Sequence, residues 1–456
     1  MNVAVANTNH TAAASASATS WPNPAYAWYV IVLLNLSYLV AFADRIILGL
    51  LIVPIQNNLN LSDTEIGLIS GIAFGVSYTV FALPAGYIGD RWSRRNLIVV
   101  GMTLWSLMTA ACGLATNFIQ LFLARAGVGI GEAVLHPAST SLIGDYFPPQ
   151  RRARAFGLYI MAGAAGATFA FLVGGKIVQW LRSLDEITLP LIGPVEAWQA
   201  TFIIVGLPGV LLAGLIYFTM REPERRGAVH AKAATSASWP EFRVFMRSNW
   251  RTFVCQGIGA PLLLTGGYSL MNWLPTMFER VHGWDAAQTS ITYGLTGGIA
   301  SILGAVASGM IADAARARGA KVATYLTCLI GGIGLNVFGC IAMVMPTPQL
   351  AMAGMTAASF FLLMPAVTSL ACINEISPNR MRARIGAIYT FLVGLITNSL
   401  GPFGVGLITD HVFGDQNAIN LSLLTLMSIT GTAGAVLMIV GIKSYRRSVG
   451  QANAND

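Results

Sequence analysis

The sequence predicts an all-α integral membrane protein, with 12 transmembrane helices in two pseudo-symmetric six-helix halves. Three observations carry this. Hydrophobic residues fill 55% of the 456 positions and charged residues only 10%, whereas a soluble domain carries about 25% charged residues. Apolar runs of the length a bilayer requires, about 20 residues, recur along the chain. Of the 27 Lys and Arg residues, 22 follow an even-numbered run. That is the positive-inside pattern, and it predicts a multi-pass plasma (inner) membrane protein with both termini cytoplasmic. The same composition excludes a soluble enzyme and a nucleic-acid partner; the +8 charge reports topology.

The elements follow in order. Residues 1–25 read as a disordered tail rich in Ala, Ser, Thr and Asn. The first basic residue is Arg45, so no signal-peptide n-region precedes the apolar chain. The N-terminal bundle, 26–220, holds spans 26–53, 65–89, 96–116, 118–144, 154–178 and 199–220. Arg91, Arg94 and Arg95 close the second span, and Arg151, Arg152 and Arg154 the fourth. Pro137 predicts a distortion within the fourth span. Residues 221–250 form a basic cytoplasmic linker, in which Trp239, Phe242, Phe245 and Met246 among Arg243 and Arg247 predict a short amphipathic helix. The C-terminal bundle, 251–443, holds spans 251–275, 288–312, 321–345, 349–376, 385–410 and 421–443, and a tail of 444–456 follows. Basic groups again close its even spans: Arg316, Arg318 and Lys321, then Arg380, Arg382 and Arg384, then Lys443, Arg446 and Arg447.

The halves repeat. Gly86-Tyr-Ile-Gly-Asp90 closes span 2 and Gly309-Met-Ile-Ala-Asp313 closes span 8, each Asp being followed five residues later by Arg95 or Arg318. Two related halves imply a substrate site between them near the bilayer midplane.

A charge at mid-bilayer costs several kcal/mol unless paired or hydrated, so it is functional by default. The first half carries Asp44 and Arg45 in span 1 and Arg125 and Glu132 in span 4, with His136 nearby. Arg125, Glu132 and His136 share one stripe of span 4 at about 100° per residue. Asp44 and Arg45 are sequence neighbours and do not face each other. The economical arrangement sets span 1 against span 4, pairing Asp44 with Arg125 and Glu132 with Arg45. The four charges sum to zero, and protonating a carboxylate frees an Arg for an anion. Asp44 and Glu132 are therefore the candidate proton-coupling groups. Arg45, Arg125 and His136, with Tyr268 and Asn272 of span 7 and Asn398 of span 11, are the candidate substrate-binding residues.

At Gly86-x-x-x-Asp90-Arg91-x-x-Arg94-Arg95 the chain resembles the major facilitator superfamily, from span 1 to span 12. Arg125-x-Gly-x-Gly-x-Gly131-Glu132-Ala133 and Trp198-Gln-Ala-Thr-Phe202 resemble further motifs of that superfamily. Ser93 stands where the loop motif usually has Gly. More narrowly, Asp44-Arg45, Leu61-Ser-Asp63, Ser77-Tyr78, Val128-Gly-Ile-Gly-Glu-Ala133 and Ile143-Gly-Asp145 resemble the Spinster family. That resemblance implies the major facilitator fold, alternating access, and proton-linked movement of a lysophospholipid or sphingosine-1-phosphate. A related family of sugar-acid symporters, which also carries Asp and Arg in span 1 and Glu-Ala in span 4, is the competing resemblance. The superfamily likeness sets Asp90 against the start of span 11 near Arg384, and makes Asp90, Arg91, Arg94, Arg95 and Asp313 gate residues, with Glu222 or Glu224 as acidic partners.

No nucleotide-binding, metalloprotease or nucleophile-elbow motif occurs. The expectation is a non-enzyme with no cofactor and no metal site, driven by a proton gradient. Its expected partners are membrane lipids, protons and an amphipathic anion, and it is expected to act as a monomer. The five cysteines lie within apolar runs, without C-x-x-C spacing, and read as packing residues.

Overall fold

The computed structural model describes residues 21–189, 193–226 and 238–455. Residues 1–20 of the expected 1–25 tail and linker residues 227–237 lie outside the described residues, and Pro24 and Ala25 of that tail already belong to the first helix, which Asn23 caps. Among those described, eleven helices are long and apolar enough to cross a bilayer. Pro24–Leu50, Asp63–Arg91, Arg94–Cys112, Phe118–Tyr146, Pro149–Arg182 and Ala197–Thr219 are spans 1 to 6. Ala286–Ala317, Ala323–Met343, Pro348–Ile376, Arg384–Phe413 and Gln416–Ala452 are spans 8 to 12. Span 7 is the 33-residue helix Trp250–His282. Gln256, Thr265, Ser269 and Asn272 dilute its apolar content, as expected of a helix turned toward the protein interior.

Local chemistry starts these helices where the sequence allows. Asn23 caps span 1 ahead of Pro24. Ser62 and Glu65 form a capping box at span 2. Asn117, Asp285 and Thr347 cap spans 4, 8 and 10 through their side chains. Span 4 stops at Glu132 and resumes at Leu135. Pro137 has no amide to donate to the Ala133 carbonyl, so the helix breaks beside its own carboxylate. Spans 2 and 11 each widen to i→i+5 hydrogen bonding, over Leu68–Ala73 and Gly394–Leu400. These two stretches face each other across the halves. A Cβ on Gly71 would lie 2.6 Å from the Ser399 carbonyl oxygen, so only glycine allows this approach of the backbones.

Two boundaries differ from the sequence reading. Span 1 ends at Leu50, and a separate short helix, Ile52–Leu59, follows it. The expected tail after residue 443 is helical instead, and the last helix runs to Asn455. Its extension is anchored: Tyr445 donates to Glu375 at 2.8 Å, and Ser448 donates to Asn249 at 2.7 Å and lies 2.9 Å from Thr252 Oγ1. Those contacts supply burial that the sequence of the extension does not advertise.

The linker helix is present as Trp239–Ser248. Phe242 is buried against Ile373, Met381, Ile385 and Tyr389 of the second half. Arg225, ahead of it, donates instead to the Gly89, Asp90 and Trp92 carbonyls of the first half.

Candidate functional site

Spans 1 and 4 meet as their charges require. Arg45 Nε donates to Glu132 Oε2 at 2.6 Å, and the Glu132 side chain is fully buried. The Arg45 side chain keeps 23% exposure, and Nε is the one atom of its guanidinium with a protein hydrogen-bond partner. Three rings pack around it: Phe42, Phe74 and Tyr78, with centroids 5.5, 5.0 and 4.8 Å from its Cζ. His136 stacks on Tyr159, with centroids 5.8 Å apart, and lies 6.5 Å from Tyr38.

The expected Asp44–Arg125 side-chain pair does not form. Arg125 Nη1 donates to the Asp44 backbone carbonyl at 3.0 Å, and both Asp44 carboxylate oxygens lack a direct partner. Asp44 points away from Arg45 by the one-residue helical step, into a compartment with 0% exposure. Arg125 is 2% exposed, so it holds span 1 rather than meeting the cavity. Tyr268 lies within electrostatic reach of Arg45 and Tyr78. Asn272 touches span 1 through its backbone at Gly49, and Asn398 lies in the widened turn of span 11.

The two ends of the molecule differ. At the face opposite the basic loops, Arg280 of span 7 makes two 2.9 Å bonds to Asp63 of span 2. Gln56 joins both, at 2.6 Å to Arg280 and 2.8 Å to Asp63. Asp410 accepts from the Thr64 amide at 2.6 Å, and Arg182 pairs with Asp285. All of these except the Gln56–Asp63 bond cross between halves. Beneath them one apolar cluster, including Ile55, Trp198, Trp273 and Met352, joins the two bundles.

At the basic face every described ion pair stays within a half. Arg94, 1% exposed, binds Glu222 at 2.8 Å, Ser141 Oγ at 2.9 Å, and Asp145. Arg316 binds Thr324 at 2.8 Å and also Glu375. Asp313 makes only a 3.9 Å contact to Arg316. The Asp90 carboxylate is exposed and makes no described ion pair, while Arg384 covers the rings of Trp239 and Phe242. The expected Asp90–Arg384 pair is therefore not found among the described residues, because Arg384 is turned onto the rings of the linker helix. Arg91 lies over Tyr87, its Cζ 3.6 Å from the ring centroid. Among the described residues, side-chain bonds tie the two halves together at the face opposite the basic loops, and the ion pairs at the basic face do not.

The Major Facilitator Superfamily model matches residues 34–402. The chain belongs to the Major Facilitator Superfamily. This is a superfamily of transporters, not enzymes. The chain is 27% identical over 433 residues to an MFS-type efflux pump of Mycolicibacterium smegmatis, covering 93% of this chain and 95% of that one. It is 28% identical over 429 residues to a probable L-galactonate transporter of Escherichia coli, covering 89% and 87%. The crystal structure of a bacterial homolog of the human lysosomal transporter Spinster, inward-facing and unoccupied, matches with a TM-score of 0.76 and 26% identity, covering 94% of this chain and 99% of that one.

Within the superfamily loop motif, Ser93 does more than stiffen a turn. Its Oγ accepts from the Asn96 amide at 3.3 Å and donates to Glu222 at 2.9 Å. Burial works against Glu222 ionising, but the Arg95 amide, Arg94 and Ser93 together hold its carboxyl below the usual range. Glu222 is more acidic folded than unfolded. Its stabilisation is therefore complete above the ordinary carboxylate pKa of about 4.3 and is lost as pH falls through the lower folded value. Glu222→Gln is expected to cost about 2 kcal/mol at neutral pH, with melting curves that begin to converge on the parent as pH falls below about 4.3. A gap that stays constant from pH 3 to 7 would assign the loss to packing.

The sequence reading missed the Gln56–Asp63–Arg280 cluster. Leu61-Ser-Asp63 was visible as a motif, but nothing local names Arg280, 217 residues away, as its partner.

Proposed function

We propose that this chain is a secondary active transporter working by alternating access, coupled to protons, that moves an amphipathic anion of the lysophospholipid or sphingosine-1-phosphate type. The observation that carries the reading is Arg45, tethered through Nε to buried Glu132 while its side chain keeps 23% exposure. A guanidinium edge matches phosphate or carboxylate in two parallel bonds. The rings around it, Phe42, Phe74 and Tyr78, favour an apolar group beside that anion. An incoming anion and Glu132 compete for one cation, so substrate capture and protonation of Glu132 favour each other. A proton gradient supplies the energy, with no cofactor. The basic face is cytoplasmic, and the protein works as a monomer in the inner membrane.

A second reading, a proton-linked symporter of small sugar acids, has the names of relatives in its favour, among them the L-galactonate transporter. Proteoliposomes loaded at different internal pH separate the two. Labelled oleoyl lysophosphatidate is expected to move with the gradient and L-galactonate not to; the reverse result establishes the second reading.

Topology has its own test. In a background without the five native cysteines, Arg91→Cys is expected to react with an impermeant thiol reagent only from the cytoplasm, and Ser183→Cys only from outside. Arg91 and Ser183 are both exposed, unlike Arg94. Labelling of Arg91→Cys from outside inverts the assignment.

A further inference from the structure

Span 3 supplies a group that the charged pairs do not use. Spans 1 and 3 both start at the basic face and run in the same direction. Ser37 donates to Met102 Sδ at 3.9 Å, and Gly209 of span 6 lies against both Val40 and Ser106. Two turns beyond Ser37 and Met102, the same register sets Asp44 beside Thr109. Thr109 is the hydroxyl within electrostatic reach of that carboxylate, without a direct hydrogen bond to it. Asp44 and Thr109 are both 0% exposed. Asp44 Oδ1 and Oδ2, Thr109 Oγ1 and Arg125 Nε all lack a direct partner. Other buried threonines, such as Thr201, Thr265 and Thr327, donate to the carbonyl one turn back; Thr109 does not. Its hydroxyl is thus available to a neighbour.

Buried groups of this kind are satisfied by protein or by ordered water. Four polar atoms on three helices can hold one water, which needs two to four partners. A sodium ion suits the site less well. Asp44, Arg45, Arg125 and Glu132 already sum to zero, and an added cation would leave a net buried charge beside Arg125.

We propose that Thr109 is a positioning residue for the proton: with Arg125 Nε it holds an internal water on the Asp44 carboxylate, in a compartment sealed from the cavity where Arg45 meets substrate. A hydroxyl serves both protonation states. Through the water it donates to ionised Asp44 and accepts from the neutral acid. The charged groups facing Asp44 are Arg125 and Glu132 of span 4 and Arg45 of its own helix, with the Cys112 thiol of span 3 nearby. This inference rests on the proton-coupled reading above.

Thr109→Val keeps the shape and removes the hydroxyl. Losing a donor to the ionised form favours the neutral acid. The pH midpoint of gradient-driven oleoyl lysophosphatidate uptake is expected to rise by about one unit, and Thr109→Ser is expected to restore it. The substrate-free protein gives a second readout. The pH dependence of its melting temperature should shift likewise in Thr109→Val, and no such shift should appear when Asp44→Asn is also present. An unchanged midpoint in Thr109→Val, or a shift that Thr109→Ser does not reverse, overturns the inference. If the parent moves no lysophosphatidate with a gradient, the transport reading fails on its own, and the melting comparison still decides Thr109.

Discussion

Glu132→Gln is expected to abolish accumulation of substrate against its gradient while leaving a folded protein that still exchanges substrate. Gln keeps the shape of the side chain and can accept from Arg45 Nε, so the 2.6 Å contact has a replacement. It cannot release a proton, so the cycle loses its link to the gradient. The freed cation should bind anions more tightly at neutral pH than in the parent. Arg45→Ala is the complementary loss. It removes a two-bond, charge-assisted contact of about 3 kcal/mol, or roughly a hundredfold in affinity, and leaves Glu132 buried without its counter-ion. Arg45→Lys keeps the charge and loses the fork, so its affinity should fall between the two. Binding of oleoyl lysophosphatidate against pH, with proton flux in proteoliposomes, checks all three. Gradient-driven accumulation by the Gln variant would remove Glu132 from the coupling route, and parent-like anion binding by Arg45→Ala would move head-group capture to spans 7 and 11.

Arg280→Gln is expected to open the face that this structure holds shut. Asp63 is fully buried there and takes both of its ionic bonds from Arg280. Removing one member of a buried pair costs about 3–5 kcal/mol, because the other charge is left uncompensated. On the alternating-access reading proposed above, that cost falls on the state closed at this face. The balance between the two end states should therefore shift by at least roughly a hundredfold toward outside-open. Asp63→Asn combined with Arg280→Gln leaves no orphan charge and should shift it less than either single change. Reactivity of Ser399→Cys toward an external thiol reagent reads the shift, since Ser399 is 1% exposed in the closed seam. No gain in reactivity would show that the apolar cluster beneath, not the polar latch, closes this end.

The fold was legible because its causes are local. Apolar length and the placement of basic residues are properties of short segments, and both survive in the structure. The mid-membrane charges were legible because the bilayer makes each one improbable without a role. The Glu132–Arg45 pairing followed from helix faces alone. Where that reasoning failed, the missing information lay elsewhere in the chain. Asp44 and Arg125 share the expected helices, but the guanidinium found a backbone carbonyl instead, a choice set by side-chain reach rather than sequence spacing. Asp90 was expected near Arg384, yet Arg384 covers Trp239 and Phe242 of the linker helix, a packing that the spacing of Asp90 and Arg384 does not reveal. Asp63 drew notice only as part of a motif, and Arg280 sits near a span end, where charge is unremarkable, so nothing paired the two. The widened turns of spans 2 and 11 depend on the close approach of two backbones and leave no pattern beyond glycines.

The anchored end of the last helix has a practical consequence. A reporter joined at residue 443, where the chain reads as dispensable, would sever Tyr445 from Glu375 and Ser448 from Asn249 and Thr252. Fusion junctions belong after Asn455. The same anchoring makes the helix a rigid pointer attached to one bundle. A spin label or dye on Gly450, which has no atom within 4 Å of a built Cβ, paired with one on exposed Arg151 of the other bundle, would act as a caliper. The length of that line would report, molecule by molecule, how far the two bundles have swung.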